Sequence, residues 1–600
     1  MSTVISLPSR SEVKPEDTWD LSKLFPNDDA WETALTDFEN RLPGFEQYKG
    51  KLGDSAEELA ACLKYDSETD RLGDRLGNYA YLKTTENQTD SNYQRMMGRF
   101  QNIATRAGEA ASFIRPEILA IDDDKITTFM DDPAIEPYRL LVERLLRYKK
   151  HTLNDREEQL LAMQGEMAGA AGRIFRQLLD ADLKFGFVEN EKGEKIELSQ
   201  STLSQFLQSP ERSVRKKAFE QFYEQFTAHE NAFAATLQGS VQKDVYYARA
   251  RGYESCLQSA LYADKVPKSV YENLIATVRN HLPTVHSFYD LRRRKMNLDE
   301  IHHYDTYVPI LSDIEKHHEW DAAVDVVIDS LAPLGSEYGN VLKQGLSGRW
   351  CDRYPNEGKQ SGAFSYGTYD GDPYIMMNYK PSVLRDLFTL THEAGHSMHT
   401  HFSVSNQPYE YHDYTIFVAE VASTFNEQLL TKHLLKNASD DRERAYLINN
   451  EIDDIRATIV RQTMFAEFEM IIHDMVESGE PLTVDGLKET YRKLLEDYFG
   501  PEFAIDEQLS LECLRIPHFY RAFYVYKYAT GLSAAIALSE RVLGGGKQEL
   551  EEYLGFLKGG SSQYPLDLLR GAGVDLEKPE PIEAAMKKLG DLVSQLDSLL

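Results

Sequence analysis

Apolar residues recur at intervals of three and four over most of the chain, the pattern of helices that bury one stripe and solvate the rest. From His151 to about Phe185 the apolar positions are Leu153, Leu160, Leu161, Met163 and Met167, then Ile174, Phe175, Leu178 and Leu179, which predicts amphipathic helices against a shared core. Ser213 to Ala250 repeats the pattern with Phe219, Phe222, Tyr223, Phe226, Phe233 and Leu237. Heptads are not sustained and no fixed repeat is visible, so neither a coiled coil nor a solenoid is indicated. Two places break the helical reading. Phe185–Val188 and Lys195–Leu198 flank the polar run Glu189–Glu194, which predicts a small hairpin. In Gly362–Tyr379, two β-prone aromatic runs surround Asp370-Gly371-Asp372 and predict a second hairpin, followed at once by helix. The expected fold is mostly α with a small sheet, divided into an N-terminal helical lobe over residues 1–200 and a larger body over 201–600.

Composition narrows the functional classes. The 600 residues include 97 Asp plus Glu against 66 Lys plus Arg, a net charge of −31. Such a surface is a poor general partner for nucleic-acid phosphate or an anionic membrane. With 42% hydrophobic and 11% aromatic residues the chain can fill a large core, which excludes wholesale disorder. No stretch approaches the roughly 20 apolar residues of a membrane-spanning helix. Cys62, Cys256, Cys351 and Cys513 are far apart and form no CxxC pair, so they predict buried thiols rather than a thiolate metal site or a disulfide framework. The N-terminal MSTVISLPSRSEVKPEDTWD lacks the basic start and apolar run of a secretory leader, and the expectation is a cytoplasmic protein.

The strongest chemical signal is THEAGHSMH, Thr391 to His399, which contains HExxH at His392, Glu393 and His396. Residues four apart stack on one helix face, so the two imidazoles can hold the same metal ion. Glu393 lies about 100° round the helix, within reach of a water at the metal. Leu384, Leu387, Leu390, Ala394 and Met398 predict the helix, the last four opposite the histidines. Gly395 removes side-chain bulk and lets another backbone approach.

A hydrolytic zinc wants a third protein ligand and an open position. The metzincin pattern is excluded, because His399 and Phe402 stand where its glycine and third histidine belong. Thermolysin-like spacing fails too, with Thr415 and Ile416 at the required place. The next carboxylate is Glu420 in FVAEVASTFNEQLL, where Phe417, Val421, Phe425 and Leu429 mark a buried stripe and Glu420, Thr424, Glu427 and Thr431 a polar one. A carboxylate among Val418, Ala419, Val421 and Ala422 needs a partner, and a metal is a good one. Glu427 then suits a carboxylate that orients a ligand histidine. His399 is expected to be a neighbour of the site rather than a ligand.

HEAGHSMH followed by Glu420 within EVAS resembles the thimet oligopeptidase superfamily of zinc metallopeptidases, and most closely its oligoendopeptidase F branch. WDLSKLFPNDDAW (Trp19–Trp31), HTLNDREEQLL (His151–Leu161), ARGYESCLQSAL (Ala250–Leu261) and RIPHFYRAFYVYKYATG (Arg515–Gly531) extend the resemblance over nearly the whole chain. It implies an elongated two-lobed helical bowl with a deep substrate channel, one Zn2+ per chain held by His392, His396 and Glu420, and Glu393 as general base. It also implies cleavage of internal bonds in short unfolded peptides.

The same resemblance implies that His518, Tyr524 and Tyr528 donate hydrogen bonds to the tetrahedral intermediate, with Tyr526 touching substrate. Periodicity alone would read this stretch as an aromatic core helix, and its spacing is shorter than in the thimet oligopeptidase branch. The hairpin resembles the family's edge strand beside the zinc helix, where Gly362, Ala363 and Ser365 would let an extended peptide pair with exposed backbone. A zinc carboxypeptidase or dipeptidyl carboxypeptidase on a related scaffold would share the metal site, and a non-catalytic peptide-binding protein is the alternative from another class. The sequence leaves monomer and homodimer equally open.

Overall fold

Helices account for 70% of the structure and the sheets among the described residues are small, as the periodicity predicts. The structure is a computed structural model and describes residues 6–311 and 316–600. Residues 1–5, part of the segment read above as lacking a leader, lie outside that range. In chain order the helices that matter below are α1 (Arg212–Ala250), α2 (Leu384–Asn406), α3 (Ile416–Lys436), α4 (Arg461–Glu477), α5 (Tyr526–Gly544) and α6 (Lys547–Lys558). No helix among the described residues is long and apolar enough to cross a membrane. The four cysteines are free and buried.

The chain forms two units, each built from three segments. The first unit comprises 1–150, 315–433 and 538–573. Its sheet joins β1 (Cys351–Asp352), β2 (Phe364–Tyr366) and β3 (Tyr374–Met376) in the order β1-β3-β2, with β2 and β3 as the predicted antiparallel hairpin. Tyr374 and Met376 of β3 are buried in one core with Trp19, Phe25, Trp31, Phe38 and Tyr79 from the N-terminal segment. The Trp19 indole N–H donates to Glu86 at 2.6 Å, so the one polar atom of that ring is satisfied where it is buried. Below the sheet, Lys359 lies 2.6 Å from Asp352, both 1% exposed, and its ammonium also donates to the carbonyls of Asp352, Tyr354 and Met377. These bonds tie the loop entering β2 to the sheet.

The second unit comprises 151–314, 434–537 and 574–600. Its spine is α1, whose Phe219, Phe222, Tyr223, Phe226, Phe233 and Leu237 are each no more than 1% exposed, as their spacing predicts. The small hairpin Phe187–Glu189 with Lys195–Glu197 also forms where expected. One expectation fails. In the stretch 151–185, Leu161, Phe175 and Leu179 enter the core, but Leu160, Met163, Met167 and Ile174 are 43%, 71%, 70% and 52% exposed. The reason is local: the stretch forms three short helices, Asp155–Met163, Gly165–Ala168 and Ala170–Gln177, and each break rotates the apolar stripe away from the core.

Candidate metal centre

All residues of the HExxH motif lie on α2. Leu387, Leu390, Ala394 and Met398 are buried to 1% exposure or less, while the His392 and His396 side chains keep 25% and 18%. Past His396 the helix runs ten further residues, about 15 Å, and the connection 407–415 brings the chain back as α3. The return is steered by Gly395: a Cβ there would lie 2.5 Å from the Ser423 Cα and 2.7 Å from the Ala422 carbonyl oxygen. The two helix backbones therefore touch, the close approach expected of that glycine. Because Ser423 sits against Gly395, Glu420 faces the histidine pair.

The His392 Nε2 is 3.2 Å from the His396 Nε2 and 3.3 Å from the Glu420 Oε2, which is 3.6 Å from the His396 Nε2. Bonds of about 2.05 Å at tetrahedral angles separate ligand atoms by about 3.3 Å. The triangle thus has the size that a single tetrahedral ion demands. Among the described residues this is the one group of His, Cys, Asp and Glu that could hold a metal. The Glu427 carboxylate accepts a hydrogen bond from the His392 Nδ1–H, which leaves the Nε2 lone pair directed at the triangle. The Ser423 hydroxyl donates to the Glu420 Oε2 at 3.1 Å and fixes its rotamer. Two neutral imidazoles and a carboxylate match a borderline-soft divalent cation such as zinc.

The electrostatics fit a cation trap. Burial works against a charged His392, yet its bonds with Glu420 and Glu427 lift its pKa to about 10. Burial would likewise raise Glu420, but hydrogen bonds from both histidines hold it well below the ordinary carboxylate range. Glu393 is 8% exposed; burial raises its pKa, partly offset by the two histidines and by the Ser365 backbone N–H. His399 lies outside the donor group. It is 1% exposed, stacks on Tyr414 at 3.7 Å, and burial pushes its pKa down to about 3, so it is a neutral core histidine.

The hairpin is tied to the metal helix. The Ser365 and Ser397 hydroxyls are 2.8 Å apart, and Ser397 donates to the Pro373 carbonyl at 3.2 Å. β2 pairs with β3 along one edge only, and no strand among the described residues pairs with the other; Ala363 stands just before β2 and Ser365 at its centre. Gly362 precedes it at φ +88°.

His518, Tyr524 and Tyr528 are brought together in the second unit. The His518 and Tyr524 rings are parallel, 1° apart in plane with centroids 6.1 Å apart, and Tyr528 stands edge-on to both. Burial and the cations Arg176 and Arg521 lower the His518 pKa, which favours the neutral imidazole. Tyr526 is a correction: it is 0% exposed with its ring 5.2 Å from Tyr271, a core residue rather than a substrate contact. The aromatic-helix pattern describes that position correctly, since Tyr526 falls on the inner face of α5. Sequence reasoning missed Tyr414, whose hydroxyl is 3.0 Å from the Thr400 hydroxyl and donates to the His396 carbonyl at 3.4 Å. No spacing rule links Tyr414 to the motif.

Comparison with known proteins places the chain among peptidases. Residues 205–588 match Peptidase family M3 and residues 117–185 match the N-terminal family described as Oligopeptidase F. The chain is 43% identical over 596 residues to Oligopeptidase PepF of Bacillus subtilis, covering 99% of this chain and 89% of that protein. An Oligoendopeptidase F homolog of Borreliella burgdorferi is 39% identical over 96% of this chain and 97% of its own length. The crystal structure of oligoendopeptidase-F from Enterococcus faecium superimposes with a TM-score of 0.74 at 33% identity, covering 95% of this chain and 99% of that one. The chain belongs to peptidase family M3, on its oligoendopeptidase F branch, and is a metallopeptidase.

Proposed function

We propose that the enzyme is a zinc-dependent endopeptidase that hydrolyses internal bonds of short unfolded peptides. The observation that carries this reading is the donor triangle of His392, His396 and Glu420, backed by Glu427 and flanked by the buried Glu393. Zinc bound there supplies Lewis acidity to the scissile carbonyl and to the attacking water. Glu393 accepts the proton of that water on its carboxylate and then delivers it to the leaving amine nitrogen, so one carboxyl serves as base and acid in turn. Burial raises its pKa, which favours delivery of the proton, and the two histidines and the Ser365 N–H act in the opposite direction, toward the carboxylate that accepts it. Glu427 holds the His392 tautomer. The outer edge of β2, at Gly362, Ala363 and the Ser365 carbonyl, pairs with an extended substrate backbone by strand addition, the Ser365 N–H being held by Glu393.

His518, Tyr524 and Tyr528 donate N–H and O–H groups to the oxyanion and the substrate backbone, each donor contributing about 10²- to 10³-fold in rate. A peptide blocked at both ends and quenched internally tests the reading. Chelator-sensitive cleavage between internal residues, with about one zinc per chain by elemental analysis, is the expected result. Cleavage confined to peptides with a free C-terminus would mark a carboxypeptidase instead. Metal without hydrolysis would mark a binding protein.

A further inference from the structure

Of the three non-glycine residues with positive φ among the described residues, Lys265, Asn297 and Phe523, only Phe523 is buried, at 3% exposure and φ +55°. A bulky aromatic in the left-handed region is strained and persists only where its surroundings over-determine it. The strain falls at a hinge. Before it, the short helix Pro517–Tyr520 ends with the Arg521 N–H donating to the His518 carbonyl at 2.9 Å. After it, the next helix opens with the Lys527 N–H on the Tyr524 carbonyl at 3.2 Å. The reversal at Phe523 stands between His518 and Tyr524, whose rings lie parallel.

What over-determines the hinge is α4. Glu469 is 0% exposed, and its Oε1 accepts the Phe523 N–H at 3.1 Å. One turn on, His473 donates from Nδ1 to the Glu469 carbonyl at 2.8 Å, and its ring is 4.6 Å from that of Phe523. Tyr271 walls the other side at 5.8 Å. Glu469 has no salt bridge, and its Oε2 has no hydrogen-bond partner among the described residues. Burial, with the nearby Asp244 adding to it, pushes the Glu469 pKa far above the carboxylate range despite the Phe523 N–H. A neutral carboxyl retains one carbonyl acceptor, which is what a single N–H requires.

We infer that Glu469 is a positioning residue: as acceptor for the Phe523 N–H it holds the left-handed hinge that sets Tyr524 against His518. The inference rests on the reading of His518 and Tyr524 as donors to the reacting peptide. It uses a buried acid that the hydrolytic chemistry does not otherwise need.

The test compares Glu469→Gln, which keeps a carbonyl acceptor, with Glu469→Met, which keeps a linear chain and loses it, in the zinc-loaded full-length enzyme. His518→Ala and Tyr524→Phe are assayed beside them. Glu469→Met is expected to lower kcat by ~10- to 100-fold with KM and zinc content unchanged, while Glu469→Gln stays near wild type. Wild-type kcat in Glu469→Met beside impaired His518→Ala and Tyr524→Phe would overturn the positioning role and leave the donor reading intact. Equal loss in both Glu469 variants would also overturn it. Wild-type kcat in both His518→Ala and Tyr524→Phe would remove the donor reading, and the positioning role with it. Should Glu469→Met not fold, amide hydrogen exchange of Phe523 in the unaltered holoenzyme decides: slow exchange supports the bond, and exchange at the rate of an exposed amide overturns it.

Discussion

Glu427 meets His392 at Nδ1, on the opposite side of the imidazole from the Nε2 that faces Glu420. The two residues lie 35 positions apart, on α3 and α2, so the crossing of these helices orients one proposed ligand and supplies another. Glu427→Ala should weaken zinc affinity by about 10- to 100-fold, read by competition with a chromophoric chelator, with helix content unchanged by circular dichroism. Glu427→Gln keeps an acceptor and should fall between that variant and wild type.

Proton and metal compete for the same nitrogen. Hydrogen bonds with Glu420 and Glu427 raise the His392 pKa to about 10, so zinc binding at neutral pH should release a proton. Zinc affinity should therefore fall as pH is lowered, by up to about tenfold per unit while His392 alone is displaced. The metal-free protein should show the opposite trend, because a raised histidine pKa stabilises the fold fully below about pH 6.5 and that contribution is lost as pH rises through 10. Calorimetric titrations in buffers of different ionisation enthalpy count the released protons. No release at pH 7 would contradict the assignment.

Glu393→Gln separates metal binding from proton transfer. The amide fills the same volume beside Ser365 but takes up no proton. Turnover of a quenched peptide should drop by about 10²- to 10⁴-fold, with stoichiometric zinc retained. Near-wild-type turnover at full metal occupancy would remove Glu393 from the proton path.

Gly395→Ala puts a methyl group against the Ser423 Cα and the Ala422 carbonyl oxygen, backbone atoms that cannot rotate aside. The helices must separate, at about 1 to 3 kcal/mol of overpacking strain. Since Glu420 rides on the displaced helix, lower zinc occupancy should accompany the lower melting temperature. A stable variant with full zinc would show that the contact is not what sets the ligand spacing.

His399 should make the fold acid-sensitive. Its folded pKa of about 3 lies below the ordinary value near 6.5, so its neutral form is favoured by folding. This contribution is present in full above pH 6.5 and is lost as pH falls from there toward 3. Buried His303, also lowered to about 3, adds to the slope. His399→Gln, which cannot ionise, should flatten the fall of melting temperature between pH 6.5 and 4 without abolishing it. An unchanged slope would place the sensitivity elsewhere.

What the sequence could reveal depended on how local the geometry is. Rise and twist per residue are fixed within a helix, so His392 and His396 could be placed on one face of α2, and Gly395 against a neighbouring backbone, from spacing alone. Glu420 followed from its polar stripe and apolar neighbours rather than from a fixed spacing, because the connection 407–415 has no periodicity from which to compute its return. The tie from Ser365 to Glu393 and Ser397 was illegible for the same reason, being set by strand placement across an irregular loop. Met163, Met167 and Ile174 misled because their three-and-four spacing holds only if the helix continues, and it breaks twice. Tyr526 shows the converse, since a resemblance to a motif does not say which side of a helix each of its aromatics occupies.

Met163 and Met167 have a chemical consequence of their own. Among the described residues they are the only methionines in the exposed class, whereas Met376, Met377, Met398, Met464 and Met586 are fully or almost fully buried. Peroxide would reach these two thioethers first and convert them to polar sulfoxides. Such a lesion would add polarity at positions already facing solvent and leave the packing of the buried methionines intact. The chain thus carries its most oxidisable groups where their loss is least able to unfold it.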